Sequence, residues 1–381
     1  MKTLLTFGLI LALAIPAWAT VRTVSSNPAT IGQFSTIQAA IDASTDGDTV
    51  YVYGSPNVYA AFTIMDKKIA VIGPGWAPDK NLPHTVRVAG ATIRNSPAPG
   101  SPDGSELHGL VFTAGVTVSR NQVAGDIPVN NIRIIRCQFS YVPVIWELGS
   151  TGFLIEGSVF YTQPGFSQGL RFTSTATYEN FLVQNNIFYI LNSWDSGLTV
   201  NNLTNGVNIR FDHNLFYSNN NGGGGAYPVF VNCRFLTLSN NIFNQANAGL
   251  GLSFSTFNNN ITNNITLSAA NATSNATPWN VNNNVDGGGN VANGNPGMAD
   301  QTAVNSGDSS PLLNFTIASG PANNSGSDGK DMGLLYDATG SLNWNNSRNS
   351  RLPRIFSMNI TNPTVTPGGN LNVTVDARKS N

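Results

Sequence analysis

The stretch "FLVQNNIFY" (181–189) decides the fold, because it returns as "IRFDHNLFY" (209–217) and "LTLSNNIFN" (236–244). Each copy runs through an apolar alternation to an Asn, then an apolar residue, then an aromatic one. With the residue before that pair as anchor, the series reads Leu110, Cys137, Ser158, Asn186, Asn214, Asn241 and Asn264. Two residues on stand Phe112, Phe139, Phe160, Phe188, Phe216 and Phe243, with Thr266 in the last repeat. The anchors lie 21 to 28 residues apart, the period of a repeat architecture. Before them, Ile132/Ile134, Phe153/Ile155, Phe181/Val183, Ile209/Phe211 and Leu236/Leu238 recur with period two, which means strands. A second apolar pulse follows each anchor: "GLRFT" (169–173), "GLTVN" (197–201), "PVFVN" (228–232) and "GLSFS" (251–255).

One repeat therefore holds several short strands. Stacked in parallel, repeats form a solenoid whose coils rise ~4.8 Å each. Phe then stacks on Phe inside. Asn stacks on Asn at a bend, where it tolerates the left-handed conformation and its amide bonds the neighbouring coil. Leucine-rich repeats share the period but want a Leu consensus that is absent.

This grammar resembles the right-handed parallel β-helix of the pectate-lyase-like superfamily, on Asn186, Asn214 and Asn241 with Phe188, Phe216 and Phe243. The segment "FSTIQAAIDASTDGDTVYVYGSPNVYAAFTIMDKKIAVIGPG" (34–75) resembles the opening of its secreted members. The resemblance implies a short helix capping the first coil, with "GDTVYVY" starting the sheet. Ser35 and Gln38 have capping-box spacing, and Ile37, Ala40 and Ile41 make the inward stripe. The expected organisation is a signal peptide at 1–19, cap and first coils at 20–95, the β-helix body at 96–300, irregular closing coils at 301–352 and a hairpin-like tail at 353–381, where two alternating runs flank Pro367-Gly368-Gly369. The tail reads as a cover for the last coil's edge or as a docking element.

Residues 1–19, "MKTLLTFGLILALAIPAWA", have the lysine, apolar run and Ala-x-Ala of a secretory leader, so the mature chain is expected outside the cytoplasm or on the cell surface. No later run is long enough to span a bilayer. Charged residues make only 10% of the 381, with 51 Asn and 38 Gly, yet 41% are hydrophobic, enough for a core. A net charge of −1 argues against nucleic acid as partner. Cys137 and Cys233 fall about four coils apart, roughly 19 Å along the axis, beyond disulfide reach. Both read as reduced, buried spacers.

Alternation sends the residues two and four before each anchor outward. The first column is His108, Ile135, Glu156, Gln184, Asp212, Ser239; the second is Glu106, Arg133, Leu154, Leu182, Arg210, Thr237. Glu156 and Asp212 are two coils apart, ~9.6 Å, near the separation of roughly 6.5–9.5 Å that suits inverting glycoside hydrolysis. Arg210 or Arg133 could hold a uronate carboxylate. The plainer account is that polar outward residues pair across coils. The superfamily's lyase, polygalacturonase and methylesterase motifs are missing, so no catalytic residue carries over. Tyr161, Tyr189 and Tyr217, three after the anchor, form either a glycan platform with Trp194 or, more plainly, edge protection or part of a second layer buried under a loop. His84, His108 and His213 are scattered, which gives no metal site, and nothing points to a cofactor. The expected function is a secreted β-helix that binds a polysaccharide or glycan surface. The alternatives are a polysaccharide lyase or hydrolase using Glu156, Asp212, Arg210 and Arg133, and a non-catalytic adhesin or fibre unit that self-associates through its ends.

Overall fold

Bends in the left-handed region cut each repeat into three short strands, and equivalent strands pair in parallel along the whole body. The structure, a computed structural model, describes residues 19–76, 84–162, 169–191, 199–219, 228–264, 276–336, 344, 353–360 and 373–379. A first sheet of twelve strands runs from Val21–Val24 to Val285–Asp286, a second of eight from Arg87–Val88 to Ile261–Asn263, and a third of seven from Phe62–Met65 to Phe230–Val231. The chain visits the three in turn, as in Leu154–Glu156, Val159–Thr162 and Leu170–Phe172. This is a parallel β-helix. The expected leader lies outside the described residues except for Ala19.

The inward columns fall in register. Phe112, Phe139, Phe160, Phe188, Phe216 and Phe243 stack face to face, with successive centroids 5.3, 4.6, 4.8, 4.8 and 4.9 Å apart. Beside them runs the asparagine ladder. Asn214 Oδ1 accepts from both Asn186 N and Asn186 Nδ2 at 3.0 Å, while Asn214 Nδ2 donates to Val183 O at 2.9 Å and to Asn241 Oδ1 at 3.0 Å. Each amide thus ties its own bend to the coils on both sides, and no polar atom of it is stranded in the core.

At the bends, two details differ from expectation. The left-handed residue is not the anchor but the one before it: Arg136, Asn185, His213, Asn240 and Asn259 have φ of 50–58°, and Gly157 has 61°. The last anchor is Asn260, not Asn264, since Asn241 N donates to Asn260 Oδ1 at 3.1 Å and Phe243 pairs with Thr262. "NITNNIT" (260–266) offers the same pattern twice, four residues apart. The shorter coil prevails because the fourth apolar pulse leaves the third sheet: Leu252 pairs with Cys233 instead. Gly251 permits this shortcut, for a Cβ there would collide with Phe230 O.

At the N-terminal end, helix Ile37–Asp42 buries Ile37, Ala40 and Ile41. Its N-cap is Thr36, whose Oγ1 accepts from Ala39 N at 3.2 Å, rather than Ser35. Gln38, the presumed partner in that box, donates to Asp42 Oδ1 at 2.8 Å. The sheet starts one strand earlier than "GDTVYVY", at Val21–Val24, which pairs with Thr49–Val52. Towards the C-terminus of the sequence, Pro353–Ile360 and Val373–Lys379 pair as antiparallel strands; the expected turn at Pro367-Gly368-Gly369 lies outside the described residues.

Residues 298–336 do not continue the coils. They form a strap along the outer side of the second sheet. Val159, Ile187, Tyr189, Leu215, Tyr217 and Ile242 face outward into a second core, closed from above by Met298, Val304, Phe315, Met332, Leu334 and Trp344. Its short helix, Gln301–Ser306, docks through Gln301 Nε2, 3.0 Å from Asn244 Oδ1. The rest descends the left-handed bend column. Asn259 Nδ2 donates to Ser325 O at 3.0 Å, Ser327 N to Asn240 Oδ1 at 2.7 Å, and Leu335 N to Asn185 Oδ1 at 2.8 Å. Between them, His213 Nδ1 lies 3.2 Å from Gly333 O.

Candidate functional site

The outer face of the first sheet carries both predicted columns in the predicted register. Glu156 pairs with Gln184 and Gln184 with Asp212; Arg133 with Leu154, Leu154 with Leu182, and Leu182 with Arg210. Parallel pairing without offset makes these text-distant residues vertical neighbours. The face is therefore a strip of two half-buried leucines between two arginines, with a polar column alongside.

Its charges are largely answered by neighbours. Asp212 is buried; its Oδ2 lies 2.9 Å from Arg210 Nη2, and its Oδ1 accepts from Ser239 Oγ and Asn240 Nδ2, both at 2.9 Å. Arg210 Nε in turn donates to Ser239 Oγ at 3.0 Å. Glu156 accepts from Gln184 Nε2 at 2.7 Å. Glu106, beside Arg133 in register, meets His108 at 2.7 Å with both residues buried. Gln184 stands between Glu156 and Asp212 in the column; Asp212 is paired through both oxygens, whereas the bond given for Glu156 is the one from Gln184 to its Oε2. Among the described residues, no group of three or more His, Cys, Asp or Glu is placed to hold a metal ion.

Two guanidiniums retain capacity. Arg133 Nε is buried with no hydrogen-bond partner among the described residues. Arg210 keeps 46% of its side-chain surface in solvent despite its ion pair. Near Glu156 lies buried Arg136, whose pKa burial pushes down against the pull of the Glu156 charge. The sequence reading missed Arg136, because a bend position that favours Asn or Gly conceals it. Asn240 was missed too: it joins Asp212 on this face to Ser327 of the strap.

The tyrosine column does not form an open platform. Tyr161, Tyr189 and Tyr217 point outward, but the strap lies on them and their hydroxyls donate to Ser309 O, Gly307 O and Asp308 O at 3.1, 2.9 and 3.0 Å. Of the two accounts of this column, the covered layer holds, because three aromatic faces on adjacent rungs bury more apolar area against the strap than solvent would leave favourable. Trp194 lies outside the described residues. Trp146 is core, stacked on Phe172 at 4.7 Å, and Glu147 pairs with Arg120 at 2.6 Å. Both cysteines are free and buried. No helix among the described residues is long and apolar enough to cross a membrane.

No family model matches this chain, and no curated protein matches it. Among solved structures it is similar to a PL6-family alginate lyase, in an arginine-to-alanine variant, at 14% identity and a TM-score of 0.34. The alignment covers 60% of this chain and 37% of that one, so the match spans well under half of that protein's length. Likeness at this level transfers no residue role and no chemistry.

Proposed function

We propose that this protein is an exported β-helix that binds a polysaccharide along the outer face of its first sheet, without cleaving it. The observation that carries the reading is the Arg133–Leu154–Leu182–Arg210 strip. It places an unpartnered guanidinium donor and a half-exposed guanidinium at the two ends of a low apolar ridge, three rungs or ~14 Å apart. The partly exposed Arg133 side chain and the half-exposed Arg210 stand far enough apart for the acidic groups of one extended polymer to meet both at once. Binding is favoured over catalysis because Glu156 and Asp212 already serve Gln184, Arg210, Ser239 and Asn240.

The test is a panel of acidic and neutral polysaccharides read two ways: retention of the protein, and release of reducing ends or unsaturated products. Retention on an acidic polymer that weakens in Arg133→Ala and Arg210→Ala, and falls with added salt, supports the reading. Product release that disappears in Asp212→Asn would replace it with the lyase or hydrolase alternative.

A further inference from the structure

The left-handed bends that lead into the first sheet form a second outward column: Asn131, Gly152, Asn180, Asn208, Phe235, Phe254 and Asn283, all with φ between 51° and 76°. The register follows from Thr151 pairing with Glu179, Ile209 with Leu236 and Arg234 with Ser253. Asn and Gly suit this conformation; a bulky residue there is an outlier. Yet two successive rungs carry Phe, and burial does not explain them. Phe235 and Phe254 are 55% and 48% exposed, with rings 5.9 Å apart and inclined by 28°. Both backbone strain and solvent exposure oppose these side chains, which points to a surface kept for a ligand.

Beside the pair lies an open depression of about 390 Å³ lined by Asn232, Arg234, Leu250, Ser253, Asn282 and Asn283. Leu250 is 58% exposed. Arg234 is the one charged side chain lining it, and its exposed guanidinium makes no hydrogen bond or ion pair among the described residues. An aromatic and aliphatic shelf, a rim of amides and one unanswered cation together match a sugar ring bearing an anionic group.

We propose that this corner is a subsite for an anionic saccharide, its ring against Phe235 and Phe254, its acidic group on Arg234 and its hydroxyls on the asparagines. It rests on the glycan reading for its ligand class and extends the same face, since Phe235 leads directly into Leu236–Ser239 beside Arg210.

The experiment compares wild type, the double variant Phe235→Asn/Phe254→Asn, and Arg234→Gln for binding of uronate, sulfated and neutral oligosaccharides by calorimetry. Asn is the residue the column uses elsewhere, so the double variant is expected to fold with a raised Tm. It should lose tenfold or more in affinity for the anionic saccharide, while Arg234→Gln should erase the preference for anionic over neutral ligands. The uronate and sulfated arms identify which acidic group is bound. Undiminished binding by the double variant would overturn the subsite and leave the glycan reading standing. Absence of binding by wild type to every oligosaccharide and polysaccharide would overturn both. A wild-type dimer that the double variant loses, with saccharide affinity unchanged, would reassign the shelf to a second copy of the chain.

Discussion

At each middle bend, the first residue of the pair faces out and the second faces in. Asn186, Asn214, Asn241 and Asn260 bond the neighbouring coils, whereas Asn185, His213, Asn240 and Asn259 adopt φ of 50–58° and hold the strap. The doubled asparagine of "NNIF" is therefore two constraints written side by side. Asn214→Ala removes an acceptor shared by two donors of Asn186 and a donor to Val183 O. It should cost about 3 kcal/mol or more, since orphaned buried groups bear their desolvation in full; denaturant titration would measure it. Asn208→Ala, on the exposed outer column, serves as the milder control. The cysteines give a second residue-scale prediction. Burial pushes both thiols up to about 12, so neither should react with a thiol reagent in the native protein near pH 8, and both should react once it is unfolded. Rapid labelling of folded protein would show that these coils open.

The strap is the element that the pattern did not disclose. "SPLLNF" (310–315) and "GLLY" (333–336) have apolar pulses but neither the spacing nor the anchor of a coil. Their partners are the outward Ile, Leu and Tyr of the second sheet, and nothing local in either segment names the other. The tyrosines beneath it give it a pH limit. Burial raises Tyr161 and Tyr189 to about 12, and Tyr217 beneath the strap and Tyr336 within it are raised further still. A folded pKa above the unfolded value of 10.0 means the stabilisation is whole below pH 10 and drains away as pH rises through the folded values. The tyrosinate absorbance of these four residues should accordingly appear late, and together with loss of near-ultraviolet circular dichroism. Titration of all three column tyrosines at an ordinary phenol pKa, with the fold intact, would mean the strap does not seat on them. Tyr189→Phe, which removes only the hydroxyl bonded to Gly307 O, should cost about 1 kcal/mol.

Across the molecule, the coils behave as a one-dimensional stack in which each touches only its neighbours. The continuous phenylalanine column is its axis. Phe188→Ala breaks two stacks of 4.8 Å at once and should destabilise by about 3–5 kcal/mol. Its damage should centre on the coils around 153–218, which amide hydrogen exchange would map. Uniform loss of protection from the first strand to the last would instead show a single cooperative unit. The strap adds a coupling that a bare solenoid lacks, because it bonds Asn259, Asn240 and Asn185 on separate rungs.

Sequence alone determined the parallel β-helix, its register through the middle rungs, the inward Phe and Asn columns and the outward charged one. Those properties follow from local periodicity, and a repeat reports its own period. Only the tertiary structure decided which outward columns stay in water. The tyrosines went under the strap, Asp212 and Glu156 were taken up by neighbours, and Phe235 and Phe254 were left exposed on a strained corner. Whether an outward side chain is covered depends on a segment with no repeat to announce it, packed by contacts that span more than a hundred residues of chain.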